Sequence, residues 1–388
     1  MQIKMTTDQS NTGARRIRDI SLFVIVFLFF AFVFLQFMLT NSSSDLHLHI
    51  RYAEEIKSFS DIHSPHFLFQ ITINFIHFIT GLSHSLSTAT LLGICYGAMA
   101  ILIAHRILRT GMCLDASMVY GSTFLVLVAS HIFAVTILVP NFYYNYLVPI
   151  TYHNPTQQLN KVFAVAIWFI YCDLALSKEN NWSPAKLALL SGLCVVSAVA
   201  KPSFLIAFLP ISGVIALFDL WRRQWRRAFN YALAMIPVTL VLVWQFGSHY
   251  GASEKGGIIF APFVVFPNPV QYLLMIPMSL AFPIVVTICF WREAKHSRAL
   301  QMAWSFMLLA LFYTLFLAES QDIGSGNFAW TAQTGAFLLY IESLLLVMER
   351  RAATGRFKTI PIAVLGVHVA CGFVFAGASA FWPAPLWQ

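Results

Sequence analysis

Four polar clusters in an otherwise apolar chain hold the residue types that could do chemistry. The first is Ser44-Asp45-Leu46-His47-Leu48-His49-Ile50-Arg51-Tyr52, directly after a long apolar run. On a helix, Asp45 and His49 are four apart and share a face, with Tyr52 one turn on, whereas His47 points elsewhere. A carboxylate beside an imidazole at a membrane surface suits a general base or a metal ligand. The plainer alternative is that Asp45, following three serines, only caps the start of a surface helix.

The second cluster is Tyr152-His153-Asn154-Pro155-Thr156-Gln157-Gln158. Asn154 fits an N-cap and Pro155 the first helical position, so the amide end of this helix could receive an anion such as phosphate, with Lys161 one turn in. Ala200-Lys201-Pro202-Ser203 is a tight turn between two apolar runs. A lysine near the bilayer is costly unless paired or used, although snorkelling would also explain it. The fourth cluster runs from Glu319 through Asp322 and Asn327 to Trp330. It could hold a sugar by hydrogen bonds and ring stacking, or be a soluble turn with an interfacial Trp. Glu342 stands alone inside an apolar run and reads as a helix-to-helix hydrogen bond more than as a proton relay.

The elements that must position these groups are membrane helices. Of 388 residues, 59% are hydrophobic, 15% aromatic and only 10% charged, with a mean hydropathy of +0.72. A soluble chain would carry about 25% charged residues, so most of this surface is not meant for water. The expectation is an all-α polytopic membrane protein of about eleven transmembrane helices, using roughly 220 residues and leaving no room for a sizeable soluble domain. That excludes a transporter with its own ATPase, a large kinase or sensor module, and a nucleic-acid enzyme. Apolar runs place the spans near 20–40, 87–108, 116–139, 158–177, 186–200, 203–219, 228–247, 270–291, 299–318, 331–348 and 359–380. With the N-terminus inside and the C-terminus outside, about 19 of the 24 Lys and Arg fall on the cytoplasmic side, including Arg222 to Arg227, Arg292 to Arg298 and Arg350 to Lys358.

The whole chain, 1–388, reads as a single integral membrane domain. Its largest outer loop, 41–86, carries two juxtamembrane helices, one from about Asp45 to Phe59 and one over His66 to Ser83. In the latter, His66, Gln70, Asn74 and His77 recur at helical spacing opposite Phe67, Leu68, Ile71 and Phe75, the pattern of an amphipathic helix at the membrane surface. The loop 248–269 is a candidate mobile lid. Cys95, Cys113, Cys172, Cys194, Cys289 and Cys371 show no disulfide or metal spacing. No nucleotide-binding glycine pattern and no internal repeat is evident.

An inside N-terminus, one span, a large outer loop of two surface helices with Asp45 just after that span, and then a series of spans resembles the GT-C superfamily of polyprenyl-phosphate-dependent membrane glycosyltransferases. The resemblance covers the topology of most of the chain and little of its sequence. It implies a catalytic carboxylate in the first outer loop, here Asp45 with His49 beside it, and an active site on the periplasmic or outer face of a bacterial inner (plasma) membrane, serving cell-envelope polysaccharide synthesis. The chain departs from that pattern. It has DxHxH where the family has an acidic pair, so Mg or Mn at this point is a candidate cofactor and no metal ligand is assigned. A soluble C-terminal domain is also not expected after Trp387-Gln388.

The chemistry fits on its own terms. Outside the cytoplasm a transferase needs a donor that crosses the membrane, and a polyprenyl-phosphate sugar carries both an activated bond and its own anchor. A carboxylate base would deprotonate a hydroxyl of a glycan or lipid-linked acceptor, and a cation would stabilise the departing phosphate. Arg51, Lys57, Lys161, Lys201 and Lys255 are the cations on the outer side, of which Lys201 is fixed at the depth of a lipid phosphate. Lys201 is therefore the expected phosphate contact, with His153, Asn154, His66, Arg51, Glu319 and Asn327 as further substrate-binding candidates. The alternatives are a polysaccharide polymerase of the O-antigen kind and a transporter or flippase of lipid-linked glycan. The last would need polar groups through the midplane and usually broken helices. The expected partners are membrane lipid, donor and acceptor, and no nucleic acid.

Overall fold

The computed structural model describes residues 6–42, 44–62, 64–109, 115–134, 146–176, 182–250, 257–350 and 356–382. Helices dominate: α1 Thr6–Thr40, α2 Asp45–Glu55, α3 Leu68–Thr80, α4 His84–Arg109, α5 Ala116–Val128, α6 Pro155–Tyr171, α7 Pro184–Ala200, α8 Leu205–Trp221 and α9 Trp225–Tyr250. Then come β1 Ile258–Phe260, α10 Ile276–Ser279, α11 Ala281–Cys289, α12 Trp291–Ala294, α13 Arg298–Phe316, β2 Leu317–Glu319, α14 Ala329–Glu349 and α15 Arg356–Phe381. Among the described residues, seven helices are long and apolar enough to cross a membrane, or eight if the bent pair 272–279 and 281–289 is one span. This is an integral membrane architecture.

Three of the eleven expected spans are shorter helices: α5 has 13 residues, α7 and α8 have 17 each. At 1.5 Å per residue, α5 covers about 20 Å of a hydrocarbon core of about 30 Å. α5 therefore ends at Val128, short of the expected span 116–139, whose residues 135–139 lie outside the described residues, and 270–291 is bent by 69° rather than continuous. One buried side chain joins the two breaks. Pro283 has no N–H to offer Ser279, whose carbonyl instead accepts from the Tyr340 hydroxyl at 2.8 Å. His368 on α15 accepts at Nε2 from the Phe282 N–H, 3.2 Å away, and donates from Nδ1 to the Ser130 carbonyl just beyond α5, at 2.6 Å. The Ser130 N–H in turn donates to the His368 carbonyl at 3.0 Å. One buried imidazole thus pins two helix breaks, as irregular backbone at membrane depth requires. Replacing His368 by Leu should lower stability by about 1–3 kcal/mol, because two buried backbone groups lose their partners; a thermal unfolding midpoint equal to that of the wild type would show the network to be dispensable.

The bundle has two chemically distinct ends. At one, Asp173 pairs with Arg106 and lies 3.6 Å from Arg109, Asp219 sits 3.4 Å from Arg227, and Glu293 sits 3.8 Å from Arg350. At the other, Asn41 and Thr40 reach the Ser379 carbonyl, and Gln245 donates to the carbonyls of Pro65 and Ala198. Between the ends, α1 lies closely along α4. Gly93 and Gly97, four apart, face Phe27 and Phe23 so tightly that a Cβ on Gly93 would meet the Phe27 carbonyl at 2.9 Å. This small-xxx-small contact holds α1, which leads into Asp45 and α2, against α4.

The segment between α1 and α4 holds α2, a short 3-10 turn Phe59–Asp61 and α3. The polar face of α3 turns toward the protein: Gln70 is buried, Asn74 donates to the Ala53 carbonyl, and His84 bonds Asn74 at 3.0 Å. Phe75, Phe78 and Ile79 are exposed. With 13 residues, α3 is too short to cross a bilayer and carries its apolar stripe outward. The expected lid at 248–269 is covered in part. Residues 251–256, with Lys255, lie outside the described residues, as do His63 and Cys113. Residues 258–260 form a strand antiparallel to Leu317–Glu319, an element the apolar pattern did not announce.

Candidate functional site

Asp45 is the first residue of α2, after Ser44 as N-cap, and no side chain caps that helix. The expectation of Asp45 as a cap is therefore not met. Its carboxylate turns across to the junction before α6, where Oδ2 accepts from Asn154 Nδ2 at 2.9 Å and lies 3.3 Å from His153 Nε2. Asn154 caps α6 as its sequence suggests: its Oδ1 accepts from the Gln157 N–H at 3.0 Å and from the Thr156 hydroxyl at 2.8 Å. The same oxygen accepts from Lys201 Nζ at 3.2 Å. One amide side chain thereby couples the carboxylate to the ammonium.

Lys201 ends α7 in an extended conformation, and Pro202 prevents the helix from continuing through it. Its ammonium sits 4.8 Å from the centre of the Trp330 ring, a cation–π contact, and His153 stacks beside the same ring at 6.4 Å. Trp330 itself is buried, and Gln157 locks it by donating to its carbonyl at 2.9 Å and to Thr334 at 2.6 Å, while Ser203 donates to Gln157. Burial lowers the Lys201 pKa to about 8, against the opposing pull of Asp45 and Glu319. Burial also lowers the pKa of His153, opposed by Asp45 and aided by Lys201.

A cavity of about 380 Å³ opens beside Lys201, within the size range of small-ligand sites. His66, Gln245, Glu319, Asn327 and Trp330 line it with Lys201, and Ile206, Leu242 and Phe246 supply an apolar wall. Asn327 donates to Glu319 Oε2 at 2.7 Å, which fixes this carboxylate and amide side by side on the cavity wall. The polar lining and the apolar wall together suit an amphiphile with a hydroxyl-bearing, anionic head.

Seven of the nine residues singled out from sequence thus come together: Asp45, His153, Asn154 and Lys201 in one bonded group, and His66, Glu319 and Asn327 around the adjoining cavity. His49 lies within electrostatic reach of Asp45 and Lys201, but its Nδ1 bonds the buried Gln70 side chain at 2.9 Å. Burial first, then Lys201, lowers its pKa to about 4, so it is neutral near pH 7 and braces α2 on α3. Arg51 is exposed on α2 and does not line the cavity. Lys161 departs from expectation: it is buried, donating to the Pro149 carbonyl at 2.5 Å and to Gln158 at 3.2 Å. The amide end of α6 is also largely used internally, since Pro155 has no N–H and the Gln157 and Gln158 amides both bond Asn154. Trp330 was legible as a stacking ring or an interfacial anchor, Ser203 only as the end of a turn, and Gln245 gave no signal at all. Glu342 accepts from Trp168 Nε1 at 2.8 Å, a helix-to-helix bond as expected.

Among the described residues, no three or more His, Cys, Asp or Glu side chains converge as a metal site. Asp45 Oδ2 faces an amide and an imidazole, a donor set that does not fit the acidic pair of a dication site. Compared with known proteins, the chain matches no protein-family model and no curated protein sequence.

Proposed function

We propose that this protein is a GT-C-like glycosyltransferase, moving a hexosyl or pentosyl unit from a polyprenyl-phosphate donor to a glycan or lipid-linked acceptor at the outer membrane face. The observation that carries the reading is the joined set of Asp45, Asn154 and Lys201 beside a half-apolar cavity, at the end of the bundle opposite the ion pairs of Arg106, Arg227 and Arg350. By the positive-inside bias, the arginine end is cytoplasmic and the Asp45 end faces outward. The donor's phosphate meets Lys201, Glu319 and Asn327 bond the sugar hydroxyls, and the lipid runs along the apolar wall. Asp45 takes the proton of the acceptor hydroxyl. The acceptor oxygen bonds the anomeric carbon as the carbon-to-phosphate-oxygen bond breaks, and the bond electrons leave with the polyprenyl phosphate, whose charge Lys201 holds.

The bent segment at Leu280 favours the second reading, a transporter or flippase of lipid-linked glycan. Sealed vesicles given labelled polyprenyl-phosphate sugar and membrane glycolipid separate the two. A transferase moves label to the glycolipid and releases polyprenyl phosphate, whereas intact donor recovered from the opposite leaflet supports transport and overturns the first reading. Orientation has its own test. Cysteines placed at the exposed Ser60 and Ser83 should both react with an impermeant thiol reagent applied from outside; labelling of Ser83 only from inside would turn α3 into a crossing segment.

A further inference from the structure

At the arginine end, a larger cavity of about 890 Å³ lies between α8 and α13. Its trough is apolar. Pro210, Val214 and Phe218 recur every fourth residue along α8, forming one ridge, and Met302 and Leu309 of α13 face it. Val214 and Phe218 are 65% and 46% exposed, so the trough is open along the side that a membrane-embedded helix turns to lipid. Its rim is basic: Arg222, Arg227 and Arg298 surround a single carboxylate, Asp219. Arg227 is committed to that carboxylate and to the Ala175 carbonyl, and the Arg222 guanidinium lies 4.3 Å over the Phe218 ring, where apolar wall and charged rim meet.

Three guanidiniums against one carboxylate leave a rim of net positive charge at the end of an open apolar trough. That is the complement of an anionic amphiphile: arginine forks match phosphate oxygens, and an acyl chain completes the burial of the α8 ridge. We propose that this cavity binds the phosphate headgroup and one acyl chain of an anionic phospholipid, taken from the leaflet on the arginine side. The site is separate from Asp45 and does not depend on the transferase reading.

The test uses the full chain purified in a neutral detergent and probed with phosphatidylglycerol, phosphatidylcholine or inorganic phosphate, reading bound lipid by native mass spectrometry and the thermal midpoint. Phosphatidylglycerol should bind and raise the midpoint, while phosphatidylcholine and inorganic phosphate should not. The double variant Arg222→Gln/Arg298→Gln should weaken phosphatidylglycerol binding by about tenfold or more. Val214→Trp, which fills the trough and leaves the arginines in place, should weaken it as well. Arg226→Gln, exposed and outside the cavity, should bind as the wild type does. Equal binding of the two lipids, stabilisation by inorganic phosphate alone, or an equal loss in Arg226→Gln would each overturn the proposal.

Discussion

Changing Asp45 to Asn should lower turnover by about 10²-fold or more while donor affinity and the thermal midpoint stay near those of the wild type. The substitution keeps the shape of the side chain, and its oxygen can still accept from Asn154 Nδ2, which now stands 2.9 Å from the carboxylate. What it removes is the capacity to take a proton. Because Asp45 neither caps its own helix nor sits in the apolar core, its loss should not propagate into the fold. Glu54, exposed on the same helix and 3.6 Å from His84, is the internal comparison. Glu54→Gln should leave steady-state kinetics unchanged, and a matched loss in both variants would mean that charge on α2, not a base at Asp45, is what matters.

The second large effect is expected at Lys201. Lys201→Ala should reduce kcat/KM by roughly 10²-fold, the scale seen when one preorganised donor to a developing oxyanion is removed. It should also weaken donor binding, since phosphate charge is present before the reaction as well as after it. Lys201→Arg should recover part of both, because the demand is for charge more than for fork geometry. pH gives an independent reading. With its pKa lowered to about 8, Lys201 is cationic below that value and loses its charge as pH rises through it. Donor affinity should therefore fall above pH 8 in the wild type, and that fall should move to higher pH in Lys201→Arg. A Lys201→Ala protein with unchanged affinity and rate would show that the lysine only snorkels.

The membrane class was legible from sequence because it rests on local composition. Asn154-Pro155 announces a capped helix, and Lys201-Pro202 announces a turn, since each depends on neighbouring residues alone. Asp45 was legible as a candidate but not its partner: only the α1 to α4 contact through Gly93 and Gly97, and the arrival of α6 beside it, bring Asn154 and His153 to its carboxylate. The breaks after Val128 and at Leu280 were not legible, because hydropathy sees an unbroken apolar run. Tertiary bonds hold these breaks: Tyr340 donates to the Ser279 carbonyl that Pro283 leaves open, and His368 accepts from the Phe282 N–H and bonds the Ser130 carbonyl beyond α5. Lys161 misled for a related reason: a lysine one turn into a helix reads as a charge at the interface, yet its ammonium folds back onto the Pro149 carbonyl inside the protein. Trp330, open in the sequence between a stacking ring and an interfacial anchor, floors the group formed by Lys201 and His153.

The most direct measurement is single-turnover release of polyprenyl phosphate from a labelled polyprenyl-phosphate sugar, run side by side on wild type and Asp45→Asn in the presence of membrane glycolipid acceptor. Asp45 as the base requires a burst of free polyprenyl phosphate with sugar transferred by the wild type, and donor bound but uncleaved on the variant. Donor that binds the wild type and is recovered intact, or cleavage at the same rate in both proteins, would contradict it.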